Sequence, residues 1–165
     1  VYNNIITLTN VFLADTWANL VITFDGGTTQ GDPNDIADYY SRFKVYYNGA
    51  PIATVGVNSQ YGYSGAISGE DTSDNILRIG RASNVHNNYF DGIINQVAIW
   101  PSDQGANASA IYNGGTPHDL SLLAAAPAHY YEFEDSVTSV PDIIGNANLS
   151  GYNFASSDLV TDTPS

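Results

Sequence analysis

The chain has 165 residues, 43% of them hydrophobic, which suits one globular domain with its own core. Lys and Arg total 4 against 17 Asp and Glu, a formal charge of −13, so the surface repels phosphate backbones and no nucleic-acid partner is expected. No stretch is long and apolar enough for membrane insertion, no signal peptide opens the chain, and the absence of Cys excludes disulfides, thiolate metal sites and cysteine catalysis.

In chain order, the apolar run 5–13 reads as one strand or two short ones. The segment 17–24 alternates, with Ala18, Leu20, Ile22 and Phe24 on one face and Trp17, Asn19, Val21 and Thr23 on the other. Residues 43–49 form a strand running into Asn48-Gly49, a strong hairpin signal, and 51–57 is the return strand, with Pro51 where a missing N–H does least harm. A short strand at 76–80 ends on Gly80. Segment 91–100 follows the turn Phe90-Asp91-Gly92 and is apolar on both faces, the mark of a strand covered on both sides. Asn95 and Gln96, which fall on its two faces, are expected to pair with neighbouring loops or backbone. Only 103–115 reads as helical, one or two turns closed by Gly114-Gly115. Beyond 116 a small apolar run precedes a strand at His129–Phe133. The rest is Gly/Asn/Ser-rich, with isolated apolar anchors at Ile143, Ile144, Leu149, Tyr152 and Phe154.

These elements predict an all-β, antiparallel jelly-roll β-sandwich with one short helix. Residues 1–128 form the sandwich and 129–165 a C-terminal extension packed on it, its last residues loose. A chain that begins at Val1 and has no Met is expected to be processed or a piece of something longer, and a Cys-free domain of this kind is expected from a bacterial or viral source.

The order of signals also carries a resemblance. Trp17 opens a strand ending in Phe24-Asp25-Gly26; then come FKVYYNG, ILRIG, YFDGIINQVAIW and a short helix with IYNGG. Over roughly residues 15 to 115 this is similar to laminin-G-like jelly rolls of the concanavalin A-like lectin/glucanase superfamily. The family usually reads Gly-x-Ile-Asp-Glu-Val where this chain has Gly92-Ile93-Ile94-Asn95-Gln96-Val97, so two acids have become amides. Only a short segment precedes Trp17, so the family's opening strands come from another chain, from an upstream part or from the tail beyond 116. The tail resembles the C-terminal ends of such domains in marine phage virion proteins, which implies a place on a tail fibre or capsid appendage, or otherwise at a cell surface.

Up-and-down alternation of the strands puts loops 25–42 and 58–75 at one rim. That rim collects Asp25, Asp32, Asp35, Asp38, Glu70, Asp71 and Asp74, with Tyr39, Tyr40, Tyr61 and Tyr63 beside them. Clustered carboxylates on a Gly-rich backbone suit Ca²⁺, for which Asp25, Asp32 and Asp35 are the first candidate ligands. Aromatic faces beside polar acceptors suit a sugar ring, which points to Tyr61, Tyr63, Tyr39, Asp71 and Asp74. The competing reading is that the Asp residues are solvated turn formers and the Tyr residues strand packing. His86, Asn87, Asn88 and Tyr89 form a second candidate surface, while His118 and His129 lack zinc spacing to each other.

Glycoside hydrolysis needs two carboxyl groups across the scissile bond, and only Glu132 and Glu134 alternate on one strand face. The expected function is a non-catalytic carbohydrate-binding or adhesion module, calcium-assisted, with a glycan or host-surface polysaccharide as partner. The alternative is a purely structural virion appendage that contacts other copies or virion proteins; a hydrolase comes third.

Overall fold

The computed structural model describes residues 13, 15–24, 43–53, 78–80, 90–136, 138–151, 154–161 and 164. Their regular elements are β1 (Leu20–Phe24), β2 (Phe43–Tyr47), β3 (Ala50–Ile52), β4 (Gln96–Ile99), α1 (Ala108–Tyr112), β5 (His129–Glu132), β6 (Ser139–Val140) and β7 (Leu149–Ser150). Short 3-10 turns flank α1 at Gly105–Asn107 and Asn113–Gly115, and two more lie at Leu120–Leu122 and Ser156–Asp158.

The first sheet is a meander, β1-β2-β3, antiparallel throughout. Leu20 pairs with Tyr47, Ile22 with Val45 and Phe24 with Phe43. Asn48 and Gly49 close the β2–β3 hairpin with φ of 48° and 76°, the paired positive values of a tight primed turn, which is why Asn-Gly stands there. The turn is tied back to β1 by reciprocal bonds: Asn48 N donates to Asn19 O at 2.9 Å, and Asn19 N donates to Asn48 Oδ1 at 2.9 Å. It also lies on α1, since a Cβ at Gly49 would come within 3.0 Å of Ser109 Cα and 3.2 Å of Tyr112 Cβ.

The helical segment forms where sequence reading places it, and its close is legible. Asn113 turns left-handed at φ 48°, Gly114 and Gly115 follow at 65° and 91°, and the Asn113 N–H bonds back to Ser109 O. The helix buries Ala108 and Ile111. Around them gather Val21 from β1, Leu120 and Tyr130, with Tyr46, Ala98, Trp100 and Leu123 packed against the group. The core therefore brings together one face of β1–β3, one face of β4–β5 and the helix.

This arrangement overturns the expected jelly roll. Among the described residues there are three separate open antiparallel sheets of three, two and two strands, with a helical segment between them: a mixed α/β arrangement, not a closed all-β sandwich. The physical reason lies in the core. A sandwich needs two broad sheets interdigitating face to face. Here Ala108, Ile111 and Leu120 take up that space, and the strands run only two to five residues. The laminin-G-like and concanavalin A-like assignment goes with the sandwich, and so does a lectin architecture.

Strand lengths differ from expectation for local reasons. Segment 91–100 pairs only over Gln96–Ile99. Its lead-in is fastened instead by Phe90 N to Gly80 O at 2.8 Å, and the Phe90 ring folds over Gly92, where a Cβ would meet it at 2.8 Å. Arg78, Ile79 and Gly80 lie in no strand.

Candidate functional site

The partner of β4 is β5, with Gln96 opposite Glu132, Val97 opposite Tyr131, Ala98 opposite Tyr130 and Ile99 opposite His129. Alternation sends Gln96, Ala98, Tyr130 and Glu132 to the core side, and Val97, Ile99, Tyr131 and His129 to the outer side. Each side carries a polar cluster built on a buried tyrosine.

On the core side Tyr130 is fully buried. Its hydroxyl donates to Glu132 Oε1 at 2.5 Å and accepts from Gln96 Nε2 at 2.8 Å. Gln96 Nε2 also reaches His118 O and Glu132 Oε1, each at 3.4 Å. Burial, and then the hydrogen bond to the Glu132 carboxylate and its charge, push the Tyr130 hydroxyl well above the usual tyrosine range. The group therefore stays a neutral donor at neutral pH. Gln96 thus pairs with side chains and a loop carbonyl, and its amide serves the fold by giving the buried Tyr130 hydroxyl a donor beside the half-buried Glu132 carboxylate.

On the outer side the centre is Asp142, whose side chain has no exposure. Its Oδ1 accepts from the backbone N–H groups of Gly145 at 2.9 Å, Tyr130 at 3.1 Å and Ile144 at 3.4 Å. Its Oδ2 accepts from Ala147 N at 3.1 Å and faces His129 Nδ1 at 2.6 Å. Asp142 N in turn donates to Asn148 Oδ1 at 2.9 Å. Desolvation by burial opposes the charge, but the bonds from His129, Gly145, Tyr130 and Ala147 together outweigh it and hold the carboxyl well below its usual range. Tyr131, 1% exposed, donates its hydroxyl to Ala147 O at 2.9 Å. Burial and then the Asp142 charge raise its pKa. The loop between β6 and β7 is thereby clasped onto β5.

The clasp also reaches the edge of β5. The Tyr130 N–H goes to Asp142 Oδ1, and Tyr130 O accepts from Ile143 N at 2.8 Å. In sequence, 140–165 reads as polar tail with scattered apolar anchors, and Asp142 does not stand out. The available signal was Asp142 followed by Gly145 and Asn146, an Asp-centred loop in which Gly is required. At Gly145 a Cβ would collide with the Asp142 carboxylate and His129 Nδ1.

The sequence-predicted site falls elsewhere. Asp25, Asp32, Asp35, Tyr39, Tyr61, Tyr63, Asp71 and Asp74 all lie outside the described residues, as do His86, Asn87, Asn88 and Tyr89. Among the described residues no group of three or more His, Cys, Asp or Glu side chains converges on one point. Glu132 and Glu134 do not alternate along one strand, because β5 ends at Glu132 and Glu134 sits exposed in a bend. No family model, no curated protein and no solved structure matches this chain.

Among the described residues, β1 carries exposed apolar side chains on its outer face. The register of β1 and β2 puts Leu20, Ile22 and Phe24 on the same outer face as Tyr47, Val45 and Phe43. Val45 at its centre is 1% exposed, but Ile22 is 56% and Leu20 36% exposed. The Phe24 and Phe43 rings pack at 4.6 Å between centroids. None of these six side chains is charged, although the chain carries −13.

Proposed function

We propose that this chain is a non-catalytic structural module of a virion or cell-surface appendage, which packs against another copy of itself through the outer face of the β1–β3 sheet. The observation that carries the reading is the exposure of Leu20 and Ile22, uncharged apolar side chains on the outer face of β1 in a strongly acidic chain. Contiguous apolar surface of this kind marks contact sites, and a flat strip can meet itself across a two-fold axis. The acidic remainder keeps the free chain soluble and discourages unspecific contact.

A second reading, glycan binding assisted by Ca²⁺, is supported by the sequence of loops 25–42 and 58–75, with their Asp and Tyr content. Sedimentation velocity at neutral pH over a range of concentrations separates the two, run on the wild-type chain and on Ile22→Lys beside a glycan array with and without Ca²⁺. Association that Ile22→Lys abolishes supports the structural module. A chain that stays monomeric at every concentration overturns it, and a Ca²⁺-dependent glycan signal then selects the second reading.

A further inference from the structure

The clasp around Asp142 does more than fasten a loop. A strand at the edge of a sheet presents unpaired N–H and C=O groups, and these template pairing with another chain unless something covers them. On β5 both outward-pointing groups of Tyr130 are taken by two consecutive tail residues: the N–H by the Asp142 carboxylate, the carbonyl by the Ile143 N–H. One side-chain oxygen here does the work of a neighbouring strand's carbonyl. We infer that the Asp142 clasp is a removable guard on the β5 edge, and that opening it lets two copies of this chain pair through Tyr130.

The occupant follows from the chemistry of the uncovered edge. Tyr130 would offer one donor and one acceptor side by side. Two such residues related by a two-fold axis satisfy each other with a reciprocal pair of N–H···O bonds, the closed ring of an antiparallel ladder. No other chain is needed to complete it. This surface is distinct from the outer face of β1, so the inference does not rest on the proposed function.

The trigger is acid. The guard depends on an ionised carboxylate that accepts five donors. A protonated carboxyl must turn one of those oxygens into a donor facing other donors. The titratable groups that face Asp142 are His129 and Tyr131, both from β5. Its own loop, 143–148, carries no titratable side chain, and neither do Ser139, Val140, Leu149 and Ser150 of β6 and β7. The same fall in pH reduces the net negative charge of the chain, −13 at neutral pH, and weakens repulsion between copies.

The test is made in an Ile22→Lys background, which removes the β1 face from the outcome. Asp142→Asn is introduced there and followed at neutral pH by amide hydrogen exchange and sedimentation velocity. The expected result is exchange at Tyr130 and Ile143 faster by more than about tenfold, protection at Val97 retained, and an average mass that rises towards two copies with concentration. The Ile22→Lys parent should show the same changes as pH falls below the ordinary carboxylate value of 3.8. Gly145→Ala, whose Cβ would push against the Asp142 carboxylate and His129 Nδ1 and so wedges the clasp without removing a titratable group, is the second variant and carries the test if Asp142→Asn loses protection at Val97 as well. Unchanged protection at Tyr130 overturns the inference, as does faster exchange with no gain in mass. Global loss of protection in both variants also overturns it, because the guard would then be inseparable from the fold.

Discussion

The β1–β3 and β4–β5 sheets both carry apolar side chains on each face, yet among the described residues the outer side of β4–β5 is covered by the tail, while Leu20 and Ile22 on the outer side of β1 are exposed. The β4–β5 sheet turns Ala98 and Tyr130 to the helix and Tyr131 to the tail, and both tyrosines are essentially buried. The β1–β3 sheet buries Val21 and Thr23 against the core but leaves Leu20 and Ile22 open. A two-faced apolar strand signals that something covers it, without saying whether the cover is in the same chain. For β4–β5 the cover is the loop clasped by Asp142; for β1 we propose a second copy.

The contrast breaks most sharply at Tyr130. Replacing it by Ala empties the middle of the core and strands Gln96 and Glu132, so Tyr130→Ala should cost about 3–5 kcal/mol in urea unfolding. Asp142→Asn comes next. It trades a charged acceptor of backbone donors for a neutral amide and should cost about 2 kcal/mol. Because the folded-state pKa of Asp142 is lowered, its contribution is fully present at neutral pH. It begins to fall as pH drops past the unfolded value near 3.8 and disappears as pH passes through the lower folded value. Urea midpoints measured from pH 6 downward should therefore drop more steeply for wild type than for Asp142→Asn. Tyr130 acts at the other end: its pKa is raised, so the stability it lends is present below pH 10 and is lost as pH climbs beyond that.

Smaller effects sharpen the picture of the hairpin. Gly49→Ala places a Cβ at φ 76° and against Ser109 and Tyr112 of the helix, and should cost about 1 kcal/mol or more by thermal melting. Ile22→Lys should change monomer stability by no more than about 0.5 kcal/mol, since the side chain is already mostly in water. Its effect belongs to association.

Legibility in the sequence followed range. The Asn48-Gly49 hairpin, the left-handed close at Asn113-Gly114-Gly115 and the strand at His129 are set by residues within a few positions of one another, and each forms as read. The jelly roll was inferred from the order of such local signals, and order does not fix which strand pairs with which. The pairing of β4 with β5 joins residues 30 to 36 positions apart and depends on Tyr130 filling the core beside the helix. Asp142 was invisible for the same reason: an Asp in a Gly/Asn-rich loop reads as a solvated turn former until Tyr130 and His129 are brought against it. The acidic and tyrosine-rich loops proposed for Ca²⁺ and sugar fall at 25–42 and 58–75, outside the described residues.

The most direct test of the contrast between the two sheets is urea unfolding at neutral pH of Asp142→Asn and Ile22→Lys, side by side with wild type at a concentration where all three are monomeric. The account predicts a loss of about 2 kcal/mol for the first, against no more than about 0.5 kcal/mol for the second. Equal losses, or a larger loss at Ile22, would contradict it, because Ile22 would then be packed within the chain as firmly as the Asp142 clasp is.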